Sequence, residues 1–185
     1  MSRIKTTVQR LKVGWLIKSL EATVVDIGKQ LESSGRVLVL LPSDEASKSK
    51  VLDDATTIAG AFPVSEICLV SMPDSDVREL ARREGFRSFA PHSLEISWYG
   101  FPNKSFFNRI RNLRSRLVVD LDFDKSCFNA AVSATSGAPL RVGLFGIWGP
   151  PIHNIEIKSK ISVDYSENIR SLLNVLSSLK AGAYN

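Results

Sequence analysis

The chain is poor in the residues that carry most recognisable chemistry. Its 185 residues include two cysteines and two histidines. Cys68, between Ile67 and Leu69, and Cys127, between Ser126 and Phe128, lie far apart, and neither belongs to a CxxC pair. That pattern argues against a zinc knuckle or a redox dithiol and fits a reducing compartment. No G-x-G-x-x-G, P-loop or G-x-S-x-G stretch occurs, although Lys48 and Ser49 stand side by side. A glycine-rich phosphate cradle and a serine nucleophile elbow are therefore unsupported. Ser43, Ser47, Ser126 and Ser133 read as caps and loop residues. His92 follows Pro91 and His153 follows Ile152, and both are expected on surface loops. No apolar run approaches the ~20 residues that span a bilayer. The start, MSRIKTTVQRLK, has neither an apolar core nor a small-residue cleavage site. The expectation is a cytoplasmic protein with no transmembrane segment.

What is present is ordinary globular composition, 44% hydrophobic and 23% charged, with a formal net charge of +5. Such a chain suits one domain with a real core. The modest positive charge permits an anionic partner without demanding one.

Residues 7–34 read as helix, with Val13, Leu16, Ile17, Leu20, Val24, Ile27 and Leu31 forming one apolar stripe. Ile4, Val8, Leu11 and Trp15 form a second stripe, and Gly14 marks a candidate break between the two. An alternation of short apolar runs and helical patterns follows. Strands are expected at 36–41, 66–71, 86–90, 116–122 and 140–145, with a weak edge strand within 155–163. Helices are expected over 50–61, from Asp74 or Ser75 to Glu84, from Asn103 or Ser105 to Leu113, from Asp124 or Lys125 to Gly137, and from Asp164 or Ser166 to Lys180. The stretch 42–50 reads as a polar loop. Strands alternating with helices imply right-handed crossovers and a parallel sheet. The predicted architecture is α/β: a single Rossmann-like domain (36–185), its mostly parallel sheet covered by helices on both faces, and an extra N-terminal amphipathic helix (1–35).

The run RLVVDLDFDKSCFNAAVSATSGAPLRVGLFG, Arg116 to Gly146, reads as strand, loop, helix, turn and strand. In an open parallel sheet, ligands bind outside the carboxyl ends of the strands. Asp120, Asp122 and Asp124 belong to that edge, with Lys125 and Ser126 following. Three alternating carboxylates could hold a hard cation. The plainer alternative is that Asp120 and Asp122 end the strand and Asp124 caps the next helix. No metal site is assigned.

This run, with RVLVLLPSDEASKSKVLDDATTIAGAFP before it, resembles the N-terminal, acceptor-side half of heptosyltransferase-like GT-B glycosyltransferases. The likeness covers residues 36–146. The chain is also similar to short, stand-alone bacterial proteins with an aromatic–Gly–aromatic loop, here Trp98-Tyr99-Gly100-Phe101-Pro102. The resemblance implies a Gly-Asp pair after the first strand, its Asp serving as base. Ala46-Ser47 occupies that place, with Asp44 and Glu45 nearby. No counterpart of the second, nucleotide-sugar domain of such enzymes is expected in the residues after Gly146.

The function expected is therefore a non-catalytic or accessory relative of a glycosyltransferase N-domain. It would bind a ligand or partner through Asp44, Asp120, Asp122, Asp124, Lys125 and Ser126, with no catalytic residue assigned and the cofactor left open. One alternative is a transferase completed by a partner chain. The other is an RNA binder using the basic stretch 78–116, where Arg109, Arg111 and Arg114 are the candidate anion-binding residues. That stretch lacks an RNA-binding signature, so nucleic acid is disfavoured. A surface left uncovered by the lacking domain makes a homodimer or a protein partner an expectation. The basic N-terminal helix could also contact an anionic membrane surface.

Overall fold

The computed structural model describes residues 2–20, 25–32, 34–158 and 164–182. Six parallel strands form one sheet: β1 (Gly35–Leu40), β2 (Ser65–Val70), β3 (Arg87–Phe89), β4 (Leu117–Asp120), β5 (Leu140–Leu144) and β6 (Ile155–Ile157). Their order across the sheet is β3-β2-β1-β4-β5-β6. The chain thus winds outward in one direction from β1 and in the other from β4. The boundary between β1 and β4 is the topological switch point of a Rossmann-like sheet, where such folds place ligands.

Successive side chains of a strand point to opposite faces, and the two faces have separate cores. Val37, Val39, Leu69, Leu117, Val119, Leu140 and Val142 pack on one face. They meet Leu31 of α2 (Ile27–Glu32), Val51 of α3 (Glu45–Asp53), Ile58 of α4 (Ala55–Ala61), Leu80 of α5 (Ser75–Glu84) and Ile169 and Leu172 of α8 (Tyr165–Gly182). Leu38, Leu40, Cys68, Val70 and Val118 point the other way. They meet Phe106 and Ile110 of α6 (Lys104–Asn112) and Val132 of α7 (Cys127–Thr135). The central strands are covered on both faces, which is why they read as continuous apolar runs. On the α7 side a further helix, α1 (Ser2–Lys18), lays Val13, Leu16 and Ile17 against Ala130, Ala131 and Ile152.

Several boundaries differ from those the sequence predicts, each for a local reason. The single helix expected over 7–34 is two. α1 ends at Lys18, where Ser19 N–H and Oγ both donate to the Leu16 carbonyl, 3.1 and 2.8 Å. Gly14 is an interior residue of α1, and no break falls there. Val24 lies outside the described residues, as do 159–163 of the predicted edge strand. The polar stretch after β1 is mostly helix: the Asp44 carboxylate accepts from Ser47 N–H at 2.8 Å and starts α3. Asp74 caps α5 in the same way, and Asn103 caps α6. Neither Asp124 nor Lys125 opens α7. Lys125 is left-handed, φ 60°, so the helix begins only after Ser126, whose Oγ accepts from Asn129 N–H at 3.3 Å. Leu179, near the end of α8, is 41% exposed. Among the described residues no helix is long and apolar enough to cross a membrane.

Candidate functional site

At the carboxyl ends of β1 and β4 the chain builds a cleft of about 410 Å³. Its floor is Ser43 and Asp44 from one strand end and Asp122, Asp124, Lys125 and Ser126 from the other. Its roof is Thr6, Gln9 and Arg10 of α1, with Gly100 and Phe101 alongside. Gln9 Nε2 donates to the Tyr99 carbonyl at 2.8 Å, tying α1 to the aromatic loop. The volume suits a small polar ligand.

The three alternating aspartates have three different roles. Asp120 is 1% exposed. Its Oδ1 accepts from Asp122 N–H at 3.0 Å and from Asn129 Nδ2 at 2.8 Å. Asp122 Oδ1 accepts from Asp124 N–H at 2.8 Å, so the D-x-D-x-D stretch is a chain of two Asx turns. Asp122 Oδ2 reaches across the switch point and accepts from both the N–H and Oγ of Ser43, each at 2.8 Å. Burial pushes the Asp122 pKa up, the bonds from Asp124 and Ser43 pull it back, the Asp120 charge adds to the rise, and the net direction is upward. Asp124 is exposed at the mouth beside Lys125. Asp44 faces the same cleft while capping α3. Its slight burial favours the neutral acid, but hydrogen bonds from Ser47 and other groups of the first turn outweigh it and lower the pKa.

Beneath the floor lies a residue the sequence reading put on the surface. His153 is 1% exposed, and its Nε2 is 3.2 Å from Asp120 Oδ2. The Pro-rich loop before β6 folds back under the sheet edge and carries the imidazole inward. Arg141 holds that loop, donating to the carbonyls of Ile152 (2.8 Å), Ala138 (2.8 Å) and Pro151 (3.1 Å). His92, by contrast, is exposed. Asn129 joins the three parts, donating to Asp120 and, at 3.1 Å, to the Leu41 carbonyl beyond β1.

Of the predicted ligand residues, Asp44, Asp122, Asp124, Lys125 and Ser126 share the cleft, and Asp120 is buried below it. Arg109 pairs with Glu95 and stacks its guanidinium 4.6 Å from the Phe89 ring, while Arg111 and Arg114 are exposed at the far end of α6. Other cations of the basic stretch are also engaged: Arg87 with Glu66, and Arg116 with the Gln30 carbonyl and Ser65 Oγ. Among the described residues no group of three His, Cys, Asp or Glu is placed to hold a metal ion. Thr6, Gln9, Arg10 and Ser43 were not among the predicted site residues. Only Ser43, beside Asp44 at a strand end, had a signal that could have found it.

No family model matches the chain, and no curated protein matches it by sequence. A solved structure does match: E. coli heptosyltransferase WaaC with ADP-2-deoxy-2-fluoro heptose, at a TM-score of 0.51 and 14% identity. The fold is heptosyltransferase-like. The match covers 76% of this chain and 47% of that one, so the chain spans about half the length of the enzyme it resembles.

Proposed function

We propose that the chain is a glycosyltransferase-like binding protein whose switch-point cleft takes a small polyhydroxylated ligand and performs no transfer by itself. The observation that carries this reading is the state of the cleft carboxylates. Asp122 has both oxygens occupied by Ser43 and Asp124, and Asp44 is committed to starting α3. A general base must reach its proton with a free lone pair; Asp122 has both oxygens engaged in structural bonds, and Asp44 gives one oxygen to the Ser47 N–H that starts α3. What faces the space is instead a mixed rim of amide, hydroxyl, carboxylate and cation from Gln9, Thr6, Asp124, Lys125 and Arg10. Such a rim recognises hydroxyl groups by donor and acceptor pairs, as a sugar presents them. On the resemblance given above, this cleft would belong to the N-terminal, acceptor-side half of such an enzyme.

The test is a thermal-shift panel of sugars, nucleotide sugars and short RNA on the full chain and on Asp124→Ala and Lys125→Ala. A ligand at about a hundred times its Kd adds about 2.7 kcal/mol, which raises Tm by roughly 5–10 °C at this size. A sugar-dependent shift lost in both variants supports the reading. A shift with RNA alone, or none across the panel, overturns it.

A second reading is a transferase completed by a partner chain, and the raised pKa of Asp122 in a cleft favours it. It predicts turnover of a nucleotide sugar only when the partner is added. Transfer by the chain alone would sink the first reading.

A further inference from the structure

We infer that the outward face of α1 is a docking surface for an anionic lipid bilayer. The helix carries Arg3, Lys5, Arg10, Lys12 and Lys18 and no carboxylate. Its inward face is already satisfied, with Val13 buried and Leu16 and Ile17 packed against α7 and Ile152. At 3.6 residues per turn, Ile4, Val8, Leu11 and Trp15 fall within about 60° of arc on the opposite side. Ile4 is 64% exposed, Leu11 66% and Trp15 80%. The fold therefore gains almost nothing from three large apolar side chains that water penalises.

The chemistry of the stripe selects the occupant. Lys5 and Lys12 flank it on one side and Lys18 on the other, by the same helical arithmetic. An apolar stripe that includes a tryptophan and is flanked by lysines matches the acyl boundary and the charged headgroups of an anionic leaflet. A second copy is a poor match, because two such helices would set lysine against lysine with no carboxylate between them. Thr6, Gln9 and Arg10, on the inner side of the same helix, line the strand-end cleft. Docking would hold that cleft within about one helix diameter, roughly 10 Å, of the headgroups.

The test uses the full chain with vesicles of phosphatidylcholine alone and of phosphatidylcholine with about 30% phosphatidylglycerol, by co-sedimentation. The chain should sediment with the anionic vesicles and not the neutral ones, and less as salt rises. Lys5→Gln/Lys12→Gln should weaken partitioning about 25-fold, roughly fivefold for each lysine. Leu11→Ser/Trp15→Ser should abolish it. All four side chains are exposed, so circular dichroism should find both variants folded. Absence of binding to the anionic vesicles overturns the proposal, as does equal binding by both variants. A wild-type dimer that Leu11→Ser/Trp15→Ser converts to monomer overturns it too, by assigning the stripe to a second copy.

Discussion

The His153 imidazole occupies the place where Gly143 would carry a side chain. A Cβ built on Gly143 would lie 2.2 Å from His153 Nδ1 and 2.4 Å from Cε1. Gly143 is an interior residue of β5, where glycine ordinarily weakens a strand. Here its lack of a side chain is what lets a buried ring reach Asp120 at the end of β4. The residue after Val142, which pairs with Val119, thus decides what can pack beneath the cleft floor.

This contact makes a coupled prediction. Gly143→Ala should cost about 1–3 kcal/mol, as overpacking does, and lower Tm by roughly 2–4 °C per kcal/mol. In a His153→Ala background the same change should cost far less, because the ring it collides with is gone. Chemical denaturation of the four proteins of the cycle measures the difference. An equal cost in both backgrounds would show that the strand, not the histidine, requires glycine.

A second prediction concerns pH. Lys48 is 9% exposed at its side chain and pairs with Asp74, 13% exposed, and with Glu45 at 2.7 Å. Burial favours neutral Asp74, but the Lys48 ammonium and the Val77 and Asp76 N–H groups outweigh it, leaving the pKa below its ordinary 3.8. Burial likewise opposes the Lys48 charge, and bonds to Asp74 and Glu45 reverse that, leaving its pKa above 10.5. A lowered carboxylate pKa gives stability that is whole above the unfolded value and is lost as pH falls through the folded one. A raised lysine pKa gives stability that is whole below the unfolded value and is lost as pH rises through the folded one. Lys48→Met should therefore cost about 1–3 kcal/mol at neutral pH. The gap to wild type should close below the acidic limb and again beyond the basic one. Equilibrium unfolding across pH reads this directly, and a gap unchanged on the acidic side would refute the pairing.

How much of this was legible in the sequence depends on how local each signal is. Strand cores such as VLVL and LVVD announce themselves by composition, and Gly85, at φ 72°, ends α5 where its sequence says. Asp74 and Asn103 cap as read, because a cap is a contact over two or three residues. The strand order is not local, so nothing in the chain marked Ser43 as the partner of Asp122, 79 residues away. His153 was misplaced for the same reason. A histidine in a proline-rich loop reads as exposed unless one knows that Arg141 folds the loop back and that Gly143 leaves it room. In the acidic stretch D-x-D-x-D, Asp120 ends β4 as read, but Asp122 lies beyond the strand and Asp124 does not cap α7. The turn geometry of the stretch spends those carboxylates on backbone N–H groups and leaves only Asp124 free at the mouth.

Asn129 tests how that non-local site is held. It is fully buried and bridges Asp120 to the Leu41 carbonyl, 88 residues away in sequence. Asn129→Ala leaves a buried carboxylate and a buried carbonyl short of donors and should cost about 2–4 kcal/mol. Asn129→Asp should cost more, since it sets a second negative charge against Asp120. A loss under about 0.5 kcal/mol for Asn129→Ala, the size of an ordinary surface change, would mean the bridge is not structural.

The two thiols report on the cleft and on the fold separately. Cys68 is buried in β2, and burial pushes its thiol up to about 12. The thiolate is the reacting species, so Cys68 should label only when the chain unfolds. Cys127 lines the cleft at partial exposure; burial raises its pKa and nearby Arg10 opposes the rise. In the native protein a thiol reagent should modify Cys127 alone, and slowly. A bound ligand should slow it further, by the fraction of cleft that is filled, without touching Cys68. Arg10→Ala should also slow it, because the cation that favours the thiolate is removed. Mass spectrometry of timed labelling distinguishes the sites. Protection of both cysteines together by a ligand would report general stabilisation, and would place that ligand's binding site elsewhere than the cleft.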